Sequence, residues 1–454
     1  MSKSRVKNQY ASRGLLSRDW VVFAIASALV VSLVLETSII RISGFQNVRD
    51  IHSDVEIFSA LEIFCVISQF IILNFAHNKV SKSLLLHNKP RIHILHKAIV
   101  IIQLGIIALL LVILFEVSLS LSYDLILLKA VVLGSFLTAA CMMGLLSSRF
   151  IIWMRSNKNR LTLAYLLASS CLSVSAIMGA VYVLDQLSYA PYIVHPKPYS
   201  DFITHVQKGD SSLAYIYTIS SAITFILLWI GTVFLLQSYR KRFGTIRYWI
   251  IMSIPLLYFL SQFQPLVLNV LLNYSSENPM LFSIVYVIMV DASRPVGGVL
   301  FGLAFIQVSR KIENPEVKSY IVMSGIGLLL LLVSYQAQVL ITAPFPPFGL
   351  LSTSFMGLSS YLIFVGIYSS AVSISQDSKL RASIRKSIET EVEFIGNIGN
   401  AQLDHTIVEK VLKTTRNISE TMPQETGIAT SLTENEITEY IQQVLVETRI
   451  KKVR

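Results

Sequence analysis

Cysteine is scarce in this chain, and so is charge. Only three cysteines occur in 454 residues, Cys65, Cys141 and Cys171, each inside an apolar stretch. They offer no disulfide framework and no metal-ligand spacing, and buried free cysteine behaves as a small hydrophobe. Charged residues make up 14% of the chain, against about 25% in an ordinary soluble domain. Catalytic signatures are missing too: no phosphate-binding glycine loop, Ser/His/Asp spacing, zinc motif or haem-attachment pair. Nothing in the sequence argues for an enzyme, a metal or a cofactor.

What is abundant is apolar surface. Hydrophobic residues form 53% of the chain and the mean hydropathy is +0.62. They come in blocks of about twenty or more, long enough to cross a hydrocarbon core of about 30 Å. The reading is an all-α polytopic bundle of about ten spans, near 20–40, 55–76, 97–121, 125–147, 161–184, 213–236, 248–272, 280–309, 319–342 and 350–375. Residues 1–19 form a short N-terminal segment, 20–375 the transmembrane bundle and 376–454 a helical tail. Lys3, Arg5, Lys7, Arg13 and Arg18 precede the first apolar run, as in a signal peptide, but the run reaches from Trp20 to Ile40 and reads as a retained span.

The formal charge of +11 reflects orientation rather than nucleic-acid binding. Alternate connections carry twenty-one Lys and Arg, among them Lys79, Arg149, Arg240 and Arg310, and the opposite connections carry four: Arg41, Arg49, Lys197 and Lys208. By the positive-inside rule both termini lie in the cytoplasm. Trp20, Trp153 and Trp249 fall near cytoplasmic span ends, where interfacial anchors sit. The long outer connection 185–212 reads as a lid or cap.

Ionisable residues inside spans mark functional sites. Asp291 and Arg294 stand near the middle of the eighth span, in Asp291-Ala-Ser-Arg294-Pro-Val-Gly-Gly298. Pro295 removes a backbone donor, so a kinked or unwound helix is expected around 294–298, with both charges facing the bundle. Gln262 and Gln264 in the seventh span are the candidate polar companions. Gly298 and Gly302 mark close packing against a neighbour. Glu36, Glu62, Glu116 and Lys129 lie in the outer third of the first four spans. Glu116 and Lys129 flank one tight turn at matching depth and are expected to pair, which leaves Glu36 and Glu62 without a cation. These eight residues form the candidate ligand or ion pathway. His87, His93 and His96 read as part of a solvated basic loop.

The tail holds eleven Lys and Arg and twelve Asp and Glu. Its pattern predicts one helical piece through Leu380, Ile384, Ile388, Val392 and Ile395 and a second over 401–420. A loop over 422–430 then precedes a last helix, opened by Ser431-Leu-Thr-Glu434. The stretch from Ser373 to Ser387 resembles the juxtamembrane helix of uncharacterised multi-pass proteins from ammonia-oxidising archaea, and Gly297–Phe305 is similar to the same group. That resemblance implies an archaeal plasma membrane and no activity.

The leading expectation is a receptor-like or sensory membrane protein with the tail as output, touching a cytoplasmic protein through 376–454. The alternative is a secondary transporter or channel for a small solute or cation, and a third is a structural subunit of a membrane complex. The lipid bilayer is the one partner common to all three.

Overall fold

In the computed structural model of the chain, the described residues are 21–36, 38, 51–87, 90–196, 211–237, 239–263, 285, 288–289, 292–312, 314–335, 340–341, 345–386, 390–426, 440 and 443–444. They are almost entirely helical. In chain order, the elements are α1 (Val21–Glu36), α2 (Ile51–His87), α3 (Pro90–Ser120), β1 (Tyr123–Asp124), α4 (Leu125–Ser156) and α5 (Arg160–Ser188). Then come β2 (Ile193–Val194), α6 (Ser211–Leu235), α7 (Tyr239–Phe243), α8 (Thr245–Ser261), α9 (Ser293–Ser309), α10 (Pro315–Ser334), α11 (Leu350–Gln376), α12 (Ser378–Lys386) and α13 (Thr390–Thr426). A helix lies in every one of the ten stretches expected to span. Seven helices among the described residues are long and apolar enough to cross a membrane, while Val21–Glu36 and Thr245–Ser261 are shorter apolar helices.

Burial sorts these helices. Large apolar side chains such as Ile63, Ile67, Phe70, Ile101 and Phe115 are exposed on α2 and α3, as suits a lipid-facing surface. In contrast, the apolar window of α11 is buried along its whole length. Helix α11 packs against α2, α4, α10 and α13, so it forms the axis of the bundle. Helix α10 sits between α11 and α9, and α4 pairs with α5.

Close approach explains the glycines. A Cβ added at Gly302 on α9 would stand 2.7 Å from the Gly325 carbonyl oxygen on α10, so the two backbones touch there. The expected packing role of Gly298 and Gly302 is met by α10.

The first turn of the long connection is tied down. Tyr123 and Asp124 pair antiparallel with Val194 and Ile193, and the Leu125 amide donates to the Tyr192 carbonyl at 3.0 Å. Residues 189–196 are thus fastened to the α3–α4 turn. The remainder of the expected cap, 197–210, falls outside the described residues.

The tail departs from the expected pattern. Helix α13 runs unbroken from Thr390 to Thr426, through the expected boundary between helical pieces and through Pro423. Two glycines between the expected pieces serve contact: Gly396 lies against Ile384 and Gly399 against Ile374. Pro423 stands in the last turn, where its missing donor breaks one backbone bond only. The expected last helix falls outside the described residues except at 440 and 443–444, which are helical. Trp153 is not an interfacial anchor: it is fully buried and its indole N–H donates to Gln402 Oε1 at 3.0 Å.

Gly302→Val should overpack the α9–α10 contact and destabilise the protein by about 1–3 kcal/mol, read by thermal unfolding in detergent. Gly105, which has open space around it, is the control, and Gly105→Ala should not destabilise. Equal behaviour of the two variants would contradict the contact.

Candidate functional site

A helix start buried inside a bundle leaves amides that neither water nor lipid can satisfy. Helix α11 begins after the turn 345–349, with Gly349 in the left-handed region at φ 85°, where a side chain would be strained. Glu36, the last residue of α1, closes that start. Its Oε1 accepts the Gly349 amide at 2.6 Å and the Leu351 amide at 3.3 Å, and its Oε2 accepts the Ser352 amide at 3.2 Å. The positive end of the helix dipole favours an anion at the same point. Glu36 has no exposed surface.

Glu62 on α2 is equally buried, and neither of its oxygens has a hydrogen-bond partner among the described residues. It lies within electrostatic reach of Glu36. One turn along α2, Cys65 lies against Ser32 of α1. The sequence left Glu36 and Glu62 without a cation because it assigned Lys129 to Glu116. What the sequence did not reveal is that backbone amides stand in for one.

From this pair a line of polar groups runs along α11. Gln69, two turns on from Glu62, donates from Nε2 to the carbonyl and the hydroxyl oxygen of Ser354, both at 3.3 Å. Ser135 of α4 donates to the same carbonyl at 2.9 Å, so one residue of α11 joins three helices. Two turns further along α11, the Tyr361 hydroxyl bonds His96 Nδ1, and His96 Nε2 meets His77 Nδ1 at 2.9 Å. That contact sets the register of α2 and α3. Gln103 lies about two turns from His96 and Gln69 about two turns from His77, so the two amides stand at one level. Both Gln103 side-chain polar atoms and Gln69 Oε1 are buried without a partner among the described residues. Nearby, Lys79 donates to Ser319 Oγ at 2.7 Å. From Gly349 to Tyr361 the line covers about 18 Å, over half a bilayer core.

Sequence reasoning missed most of this line. His96 is buried rather than solvated, because its ring is sandwiched between His77 and Tyr361 with centroids 4.9 and 5.9 Å away. The available signal was the lone glutamines inside apolar spans and the Leu351-Ser-Thr-Ser354 run.

The eighth span is arranged differently from the expectation. Helix α9 starts at Ser293 after Ala292, so the break precedes 294–298 and Pro295 occupies the first turn, where its missing N–H is harmless. Arg294 is held by α10: its guanidinium donates to the Tyr335 carbonyl and lies 5.8 Å from the centre of that ring. Tyr335 stacks on Tyr217, and Tyr217 on Tyr182, with centroids 5.7 and 5.6 Å apart. The Tyr335 hydroxyl bonds Ser175. A small cavity beside Arg294 is lined by Ser221, Thr224, Phe225 and Tyr335. Asp291 and Gln264 lie outside the described residues. Gln262 donates to its own helix, to the Phe259 carbonyl at 2.9 Å, rather than toward Arg294.

Glu116 and Lys129 form no ion pair. Glu116 Oε2 accepts the Asp124 amide at 3.0 Å and so staples the turn, while Asp124 Oδ1 caps α4 by accepting the Ile126 amide at 2.9 Å. Matching depth did not fix the rotation of the two helices, and the nearer amide captured the carboxylate.

Glu36→Gln should destabilise the protein by about 1.5–3 kcal/mol in detergent unfolding, the range for hydrogen bonds to a charged group. Glu116→Gln and Lys129→Ala should combine additively, within about 0.5 kcal/mol. A silent Glu36→Gln would contradict the cap, and coupling between Glu116 and Lys129 would contradict their separation.

Comparison with protein-family models, curated proteins and solved structures finds no match for this chain.

Proposed function

We propose that the chain is a sensory multi-pass membrane protein of ten spans with both termini in the cytoplasm. In this reading the buried carboxylate site is the input and the tail is the output. One observation carries it: α11 is gripped at one end by Glu36 and at the other by the tail. Arg381 of α12 donates to the carbonyls of Ile374 and Ser375 in the last turn of α11, and Asp377 caps α12 through the Lys379 and Leu380 amides at 2.9 and 3.0 Å. Gly399 of α13 lies against Ile374.

The tail is seated on other spans as well. Gln402 accepts from Trp153, Ser156 donates to Asp404 at 2.6 Å, and the Phe394 ring lies 5.5 Å from Tyr165. A rigid, fully buried helix transmits displacement between its ends better than a loop does. From Glu409 on, α13 is largely exposed and presents Val411 and Ile418, exposed apolar positions that suit a cytoplasmic protein partner.

A transporter for a small cation is the second reading. The polar line from Glu62 through Gln69, Gln103 and His96 to His77 favours it, because isolated polar groups inside an apolar bundle mark ion routes.

Hydrogen exchange in lipid nanodiscs separates the two. Under the sensory reading, Glu36→Gln should speed amide exchange in 394–404 of α13 as well as at 349–352. A change confined to 349–352, together with cation flux in liposomes that Glu36→Gln abolishes, would sink the sensory reading in favour of transport.

A further inference from the structure

We infer that the ligand of the buried carboxylate site is a proton, carried by Glu62. The inference rests on reading that site as the input. Two buried carboxylates lie within electrostatic reach of each other inside an apolar bundle, and their surroundings differ. Glu36 receives three amide donors at the start of α11. Glu62 receives no donor from any described residue. A carboxylate inside a bilayer is costly unless it is paired or neutralised. Like charges this close also disfavour double ionisation. The amides therefore hold the charge on Glu36, and Glu62 is the group that must be neutralised.

The neighbouring groups exclude the other ways of neutralising it. The titratable groups that bear on Glu62 are Glu36 on α1 and Cys65 one turn along α2; farther off, Asp54 stands about two turns back on α2, and Glu116 on α3 turns its carboxylate to the Asp124 amide. Helix α11 presents amides and hydroxyls there. None of these described groups brings positive charge. A hard metal cation needs six or more oxygens around one point. No such shell forms at Glu62 among the described residues: neither of its oxygens has a partner, Gln69 is two turns away and Glu36 is committed to its amides. A proton needs one oxygen, and it converts an acceptor without a donor into a donor. Uptake forms one O–H bond on Glu62 and removes one proton from water. Release breaks that bond, returns the proton to water and leaves two negative charges within electrostatic reach of each other, which loads the Glu36 cap on α11.

Infrared spectroscopy of the full-length protein in nanodiscs, across a pH series, tests this. The wild type should show the C=O band of a buried protonated carboxyl, lost on raising the pH. That band should be absent in Glu62→Gln and retained in Glu36→Gln. If Glu62→Gln does not fold, Glu62→Asp should shift the band. The inference is overturned by a band that persists in Glu62→Gln, by one unmoved in Glu62→Asp, or by one that sodium displaces at constant pH. This readout does not involve the tail. A titrating Glu62 with no tail response would defeat the sensory reading alone, and a tail response without a titrating carboxyl would defeat the proton alone.

Discussion

The bundle depends on one constraint: the first amides of a helix with no wet side must find an acceptor. Helix α11 begins within the bundle, and an unsatisfied buried donor costs about 1–3 kcal/mol. The acceptor comes from Glu36, more than three hundred residues earlier in the chain. That single carboxylate fixes the depth of α1 against α11. It also places a negative charge at the positive end of the helix. A hydroxyl in that position would satisfy fewer amides and leave the dipole uncompensated.

The rest of α11 shows how a helix can be buried on every side. Several of its hydroxyls are satisfied within the helix: Ser354 bonds the Leu351 carbonyl, Ser359 that of Met356, Ser370 that of Ile367 and Ser375 that of Val372. Small side chains with internal bonds let neighbours approach closely, which replaces the hydrophobic drive that lipid does not supply. At Gly366 the approach is closest, since any side chain there would meet the Tyr320 carbonyl and Ser324 of α10. Backbone carbonyls then become available for contact: that of Ser354 accepts from both Gln69 and Ser135, and its hydroxyl also accepts from Gln69. The polar line is built on a helix that composition alone presents as ordinary and apolar.

Much of this architecture was legible in the sequence. The apolar blocks located the helices, and the intramembrane charges singled out Glu36 and Glu62 as carboxylates without a cation. The amides that answer Glu36 were not legible, because they exist only where a turn ends at Gly349 and a helix begins. Rotation about helix axes was not legible either. Glu116 and Lys129 matched in depth and still failed to pair, and His96 left its basic loop for a stack between His77 and Tyr361. The boundary expected between 395 and 401 is not there, and the lack of a side chain at Gly396 and Gly399 lets α13 lie on Ile384 and Ile374. Pro295 stands in the first turn of α9, where a proline is well placed, and residues 290–291 just before it fall outside the described residues. In each case the residue type was informative and the three-dimensional partner was not.

The central claim is that Glu36 caps the buried start of α11. The most direct measurement is an experimental structure of the full chain in lipid nanodiscs at a resolution that places side chains. The account predicts the Glu36 carboxylate within hydrogen-bonding distance of the Gly349, Leu351 and Ser352 amides, with Glu62 beside it. A Glu36 turned toward lipid or solvent, with the first amides of α11 bonded elsewhere, would contradict it.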